Sequence, residues 1–434
     1  HFFVGRSAES PRFWHNGTTG TGGTAQFGAA SPTIDWLAGR SMRRIGLLAE
    51  RYSKWERRAA LTPTHVRKLV DRGVEVFVQP STSRIHSDSE YLLAGASVTR
   101  DLSAASAIFG VKQPENGTLL DGKTYLVFSH VIKAQPENMA LLDEFIHKGC
   151  RLIDYECVRE GGGGSTSRLI AFGGFAGKAG VINGLRGLGL RLLSLGYSTP
   201  FLSVGPAHSY LDYGDACRAI GAIGEQIAAR GLPAAVSPLV VTICGTGNVA
   251  CGALDALGAI GDDAVRWVSP HELPALTALH GTEGEHQRCV YVCAVGTEHL
   301  VEHADTATAF DRRNYYANPH EYLPTFHKRI APHTSLLVTT MYWDRRFPRL
   351  LTVDQLSELR AAGNKRLIGV ADITCDVGGA VETLVRTSTV DEPFYVFDVE
   401  ARGESRSGLD GEGLMMMGVD ARRASSHPNP HPHP

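Results

Sequence analysis

The run from Leu239 to Ile260 constrains the fold of this chain more than any other. Leu239–Cys244 is an unbroken apolar and β-branched segment; Gly245-Thr246-Gly247-Asn248-Val249-Ala250 follows; Ala250–Ile260 then continues at helical spacing with Asp255 as its one charge. A buried strand, a glycine turn and a helix make one half of a βαβ unit, and the turn has the spacing of a dinucleotide-binding loop. Its first glycine permits the turn and its second lets backbone N–H groups approach a pyrophosphate. Ala250 takes the third glycine's place at the helix–strand contact. The surrounding stretch, Leu232–Ile260, is apolar enough to resemble a membrane span. Pro233, Pro238, Gly245, Gly247 and Gly252 interrupt it too often for a lipid-facing helix.

The rest of the chain repeats the alternation of strand and helix. Arg44–Ala49 reads as a strand, Thr62-Pro63 as the N-cap and first residue of a helix through Val70, and Val74–Val78 as a second strand after the stop at Gly73. Strands at Ala107–Val111 and Thr124–Ser129, a helix opened by Pro136, and a strand at Arg151–Tyr155 complete a first unit. GlyGlyGlyGlySerThrSer, 161–167, separates it from a glycine-studded helix at Phe175–Leu195. Beyond the dinucleotide turn come strands at Val265–Val268, Val290–Val295, Leu336–Met341 and Leu367–Asp372, with a helix at Val353–Ala362. The expected fold is α/β, with two doubly wound, Rossmann-like domains flanking a cleft: 43–160 for substrate and 168–400 for the dinucleotide. Residues 401–420 are expected to return toward the first domain.

The chain has 434 residues, with 43 Lys plus Arg against 45 Asp plus Glu. That balance excludes nucleic acid or an anionic membrane as the main partner, since either needs a cationic excess. Function is therefore expected in a cleft. In a parallel sheet, ligands sit beyond the carboxyl ends of the strands. Lys112 and His130 stand at two such ends, with Lys133 after them and Arg57 and Arg58 before, a set suited to carboxylates and to proton transfer. The strand at Val265–Val268 ends in Ser269-Pro270-His271. An acid there would hold the ribose 2′-hydroxyl, so its absence favours NADPH/NADP+ over NAD, with Arg266 as a phosphate partner. Asp376 follows the last strand and is expected near the nicotinamide.

Residues 1–42 read as a transit-like or disordered segment, and 421–434, rich in His and Pro, as a disordered tail. The eight cysteines show no zinc spacing, so no metal is expected; they read as reduced core thiols, and the sequons at Asn16 and Asn116 as fortuitous. The setting expected is the mitochondrial matrix or the cytoplasm, not secretion.

Seven segments together resemble one family: GluArgArgAlaAlaLeuThrPro (56–63), GlyValLysGlnPro (110–114), SerHisValIleLysAlaGlnPro (129–136), LeuIleAspTyrGlu (152–156), the 187–201 stretch beginning GlyLeuGlyLeuArg, GlyThrGlyAsnVal (245–249) and AspIleThrCysAspValGlyGly (372–379). They resemble the lysine-ketoglutarate reductase part of aminoadipic semialdehyde synthase and, more distantly, alanine dehydrogenase and the transhydrogenase nucleotide domains. The resemblance implies reductive condensation of L-lysine with 2-oxoglutarate to saccharopine. It implies Lys112 and His130 as the proton-transfer pair, and Arg58, Lys133, Glu156, Arg168 and Asp376 as substrate-binding residues. Gly245, Thr246, Gly247, Asn248, Val249 and Ser269 would bind the cofactor. A homo-oligomer is compatible with it. The family continues past Asp420 with helices that fold back on the first domain, so their replacement here predicts an exposed apolar face. An alanine-dehydrogenase-like reaction with ammonia and a catalytically inactive nucleotide-binding subunit remain the alternatives.

Overall fold

The computed structural model describes residues 44–133, 136–159 and 168–418, except the side chains of Lys133 and Glu137. The N-terminal segment, the 161–167 linker and the C-terminal tail lie outside these residues. Two compact units meet in sequence at Ala171/Phe172.

The first unit is built on six parallel strands: β1 (Arg44–Leu47), β2 (Glu75–Val78), β3 (Ser97–Val98), β4 (Ala107–Lys112), β5 (Thr124–Phe128) and β6 (Arg151–Asp154). Their order is β3-β2-β1-β4-β5-β6, so the sheet is doubly wound and its direction of growth reverses between β1 and β4. Helix α1 (Pro63–Val70) begins where expected, because the Thr62 hydroxyl accepts from His65 N and Pro63 needs no donor. The six-residue helix α2 (Asp88–Leu93) is capped by Ser87 and Glu90 in a capping box. One sheet face buries Ile45, Val76 and Val78 against Val66 and Tyr91. The other buries Ile108 and Tyr125 against Leu141 and Phe145 of α3 (Pro136–His147). Apolar layers on both faces are why these strands read as continuous hydrophobic runs.

The second unit begins with α4 (Gly173–Ser194) and α5 (Tyr213–Arg230). Its strands are β7 (Leu239–Cys244), followed by helix α6 (Asn248–Gly258), then β8 (Val265–Trp267), β9 (Val290–Val295), the small antiparallel pair β10 (Val301–His303) and β11 (Tyr322–Pro324), β12 (Leu336–Thr339), β13 (Gly369–Asp372), β14 (Tyr395–Asp398), β15 (Gly403–Glu404) and β16 (Leu414–Met417). The main sheet runs β15-β14-β16-β13-β12-β7-β9-β8. Every residue of β7 is buried.

Two expectations are corrected here. The described part of 401–420, residues 401–418, belongs to the second unit's own sheet: β16 is an interior strand, parallel to β13 and antiparallel to β14, and Leu414–Met417 are buried. Their apolar, chargeless run is what an interior strand needs. Nor does β8, the strand next in the chain, lie beside β7. The strand hydrogen-bonded to β7 on that side is β9, in register from Leu239 with Val290 to Cys244 with Val295, and β8 is displaced to the edge.

The glycines of α4 explain its path. A Cβ on Gly177 would lie 2.0 Å from the Val249 carbonyl oxygen, and one on Gly252 would lie 1.9 Å from that of Gly174, so α4 and α6 pack backbone to backbone. Gly252 is thus the close-packing glycine between α6 and α4, while Ala250, 1% exposed, lies in the core that holds the β7 residues Leu239, Val241 and Ile243. Arg191, 2% exposed, anchors the far end of α4 by donating to the carbonyls of Leu409, Gly411 and Gly413 at 2.5, 2.7 and 3.0 Å. This buried guanidinium accounts for an arginine within the apolar 187–201 stretch. All eight cysteines are free thiols, but only Cys244, Cys289 and Cys293 are buried, and Cys157 and Cys251 are exposed.

Candidate functional site

The strand order β1-β4-β5-β6 sets the residues that follow these four strands side by side at one sheet edge. Lys112 is the last residue of β4, where the β4–β5 register shifts between Phe109 and Lys112. Its ammonium lies 5.8 Å from the Tyr52 ring centre. The Val111 and Lys112 backbone N–H groups donate to the two carboxylate oxygens of Glu50 at 2.6 and 2.9 Å.

His130 sits two residues beyond β5 with φ of 58°, a left-handed conformation that non-glycine residues adopt at an energetic cost. Its ring Nδ1 is 2.9 Å from Glu156 Oε2, and its Nε2 is buried with no hydrogen-bond partner among the described residues. An ionised carboxylate only accepts, so Nδ1 carries the proton and Nε2 presents its lone pair. Glu156, 5% exposed, also accepts from Arg168 at 3.1 Å, and that guanidinium offsets its charge. Asp154 accepts from the Glu156 N–H at 2.8 Å and from the Ser129 hydroxyl, fixing the turn that carries Glu156.

Arg58 is held in a fork by Glu56, with Nε and Nη2 donating at 2.7 and 2.5 Å. Burial raises the Glu56 pKa, but hydrogen bonding and charge from Arg58, with Lys112 adding, outweigh it and hold the carboxyl below its usual value. Arg57 instead donates to the Ser83 carbonyl at 3.2 Å. Lys133 ends a short 3₁₀ turn, Val131–Lys133. The structure thus gathers Lys112, His130, Arg58, Glu156 and Arg168 along one edge of the first unit. Glu50, Glu56, Ser129 and Asp154 are additions that sequence reasoning missed. The one available signal was the presence of acids before the cations, because partners 26 or 61 residues apart leave no local pattern.

The dinucleotide turn lies in the second unit. Gly245 has φ of 128°, and a Cβ there would come within 2.4 Å of the Thr340 hydroxyl. Gly247 is the N-cap of α6 and makes no side-chain cap, and a Cβ on it would meet nothing within 4 Å. Thr246, Gly247 and Asn248 are exposed and Val249 is half-buried. Open N–H groups at the start of an 11-residue helix fit a diphosphate. Asp376 is exposed beyond β13; the carboxylate actually buried at that strand end is Asp372, which accepts from Thr374 and Cys375 and whose pKa burial raises.

Ser269 is exposed, and both its N–H and its hydroxyl donate to Glu272 at 2.7 Å. β9, the strand paired with β7, runs on into a short helix at Thr297–Leu300. There stands Glu298, whose carboxylate pairs with Arg312 at 3.1 Å. Arg266 donates to the carbonyls of Asp262 and Val265. A cavity of about 600 Å³ near these strand ends is lined by His271, Glu298, His299, Lys328, Arg329 and His333, among others.

Residues 46–176 match the family model of the alanine dehydrogenase/PNT N-terminal domain. An L-alanine dehydrogenase structure aligns with 87% of this chain and 82% of its own at 18% identity, with a TM-score of 0.47. The chain is 31% identical over 221 residues to a saccharopine dehydrogenase [NAD(+), L-lysine-forming] of Yarrowia lipolytica, covering 49% of this chain and 57% of that one. It is 41% identical over 401 residues to an alpha-aminoadipic semialdehyde synthase of Arabidopsis thaliana, and 36% identical over 389 to the one of Bos taurus described as mitochondrial. The chain is thus similar, over 87–88% of its own length, to alpha-aminoadipic semialdehyde synthases, and it spans 37–41% of theirs.

Proposed function

We propose that this chain catalyses the NADPH-dependent condensation of L-lysine with 2-oxoglutarate to saccharopine, the first step of lysine degradation. The observation that carries the reading is the convergence of Lys112 with the His130–Glu156 pair at adjacent strand ends, His130 being held in a left-handed conformation. The similarity to aminoadipic semialdehyde synthases supports it. In this reaction the lysine ε-amine attacks the keto carbon, water leaves, and the resulting imine is reduced. A nicotinamide dinucleotide, held by Gly245–Val249, would supply the hydride.

Several protons move at one carbon, and two groups of different character are suited to move them. His130 Nε2, basic because Nδ1 is turned to Glu156, takes the proton from the attacking amine, and the Lys112 ammonium protonates the departing hydroxyl. Arg58, pre-oriented by Glu56, would bind a substrate carboxylate, with Arg168, Lys133, Glu156 and Asp376 as further substrate-binding residues. For the choice of dinucleotide, Lys328 and His299 around the cavity after β8 and β9 favour a 2′-phosphate, since Arg312 offsets Glu298 as Glu302 offsets Arg329. Of the mitochondrial matrix and the cytoplasm, the name of the bovine relative supports the first.

The test is NADPH oxidation with both substrates and with each omitted, repeated with NADH and with ammonia in place of lysine. Oxidation that needs both substrates is expected. Oxidation with ammonia and a keto acid alone would replace this reading by an alanine-dehydrogenase-like one. NADPH binding without turnover would indicate a nucleotide-binding subunit.

A further inference from the structure

Glu50 lies three residues past the end of β1, at the point where the sheet reverses its direction of growth. β1 and β4 pair in register only as far as Leu47 and Phe109, and the Leu48 N–H makes the last backbone bond, to the Phe109 carbonyl. Beyond it the β1 chain turns away, and the β4 N–H groups of Val111 and Lys112 lose their sheet acceptor on that side. The Glu50 carboxylate replaces it, taking both N–H groups at 2.6 and 2.9 Å. On the other side, the β4–β5 register shifts at the same residues. Lys112 is therefore held on one side by its pairing with Phe128 of β5 and on the other by one carboxylate reaching across the gap. Glu50 belongs to none of the substrate or cofactor contacts proposed above.

We propose that Glu50 is a positioning residue for Lys112: its carboxylate spans the β1–β4 gap, clamps the end of β4 through two backbone N–H groups, and sets the direction and the charge environment of the Lys112 amine. This rests on the reading of Lys112 as a proton-transfer group. The charged and titratable groups facing Glu50 are Glu56 and Arg58 from the loop after β1 and Tyr155 from the turn after β6; Lys112 meets Glu50 through its backbone N–H, while its ammonium acts on the neighbouring Glu56. Burial pushes the Glu50 pKa up to about 7, and Glu56 adds to the rise; the two backbone bonds and Arg58 pull against it. The clamp thus changes charge near neutrality, within the range in which the enzyme would work.

Two readouts test this. The first is kcat and kcat/KM for lysine plus 2-oxoglutarate from pH 5.5 to 9, with NADPH affinity from fluorescence titration, for wild type, Glu50→Gln and Glu50→Ala. We expect kcat to fall at least tenfold in Glu50→Ala with NADPH affinity within twofold of wild type. A limb near pH 7 in the wild-type profile should vanish in Glu50→Gln, which preserves the shape without the titration. The second readout is independent of turnover: the Lys112 side chain, dimethylated with ¹³C-formaldehyde and assigned by its loss in Lys112→Arg, is titrated by NMR in wild type and in Glu50→Gln. Its midpoint should move down when the neighbouring negative charge is removed. An unmoved Lys112 midpoint, or an unchanged pH profile with only a lowered melting temperature, makes Glu50 a structural residue and overturns the proposal. A wild-type chain inactive with both substrates would overturn the proposed reaction, while the Lys112 titration would still decide the role of Glu50.

Discussion

The edge of the first unit's sheet and the glycine turn of the second unit are both at positions where doubly wound sheets bind ligands, yet they are built by opposite means. At the first, function depends on side chains: Glu50, Glu56 and Glu156 each hold a cationic residue or its backbone, and His130 is held in a strained conformation. At the second, it depends on side chains that are missing: Gly245 and Gly247 open the turn, and Gly177 and Gly252 let α4 and α6 touch by their backbones. Substitutions at the charged edge should therefore cost activity before stability. Those among the glycines and their anchor should cost stability first.

The largest expected effect is at the charged edge. His130→Ala should lower kcat by about 10²–10⁴-fold, the usual contribution of a positioned acid–base group, with little change in NADPH affinity. A loss of affinity as large as the loss of turnover would erase the contrast. Next comes Arg191→Met, which strips three carbonyls of a charged donor and should cost about 3 kcal/mol in urea denaturation. Gly252→Ala should cost about 1–3 kcal/mol through overpacking against the Gly174 carbonyl, despite alanine's better helix propensity, and should weaken dinucleotide binding with it. An unchanged denaturation midpoint would mean that α4 and α6 have room to separate.

Smaller effects sharpen the comparison. His130→Gly should be as inactive as His130→Ala yet more stable by about 1 kcal/mol, because glycine adopts positive φ without the steric cost. Equal stabilities would indicate that the backbone there stores no strain. The last prediction concerns pH. Glu50 is raised from 4.5 to about 7 in the fold, so the native state binds the extra proton and its contribution to stability is present at low pH. That contribution declines as pH rises between those two values. Glu50→Gln should lack this slope, so it should appear in the wild-type-minus-variant difference in melting temperature plotted against pH, and a slope of the opposite sign would mean the ionised form is the one the fold prefers.

How much of this was legible in the sequence varied with the range of the interaction. β7 and the start of α1 fell at the expected residues, because an apolar run and a Thr-Pro cap are local signals. The glycine turn was equally plain, since its chemistry lies in consecutive residues. Helices α2 and α5 and strands β14–β16 were missed or misassigned, the short β15 by its length and β16 by its destination, which depends on which strands it pairs with. That β9 and not β8 lies beside β7 was equally hidden, because strand order is set by pairing between distant segments.

The sequence alone determined the α/β class, the dinucleotide turn, and the presence of Lys112 and His130 at strand ends, since each rests on hydrophobic periodicity or on a few adjacent residues. Only the tertiary structure decided which acid serves which cation. Glu50 reaches Lys112 across 62 residues, Glu156 reaches His130 across 26, and Arg191 reaches Gly413 across 222. Charge pairing and backbone capping act over a few ångströms in space whatever the separation along the chain, so no periodicity records them until the strand order brings their ends together.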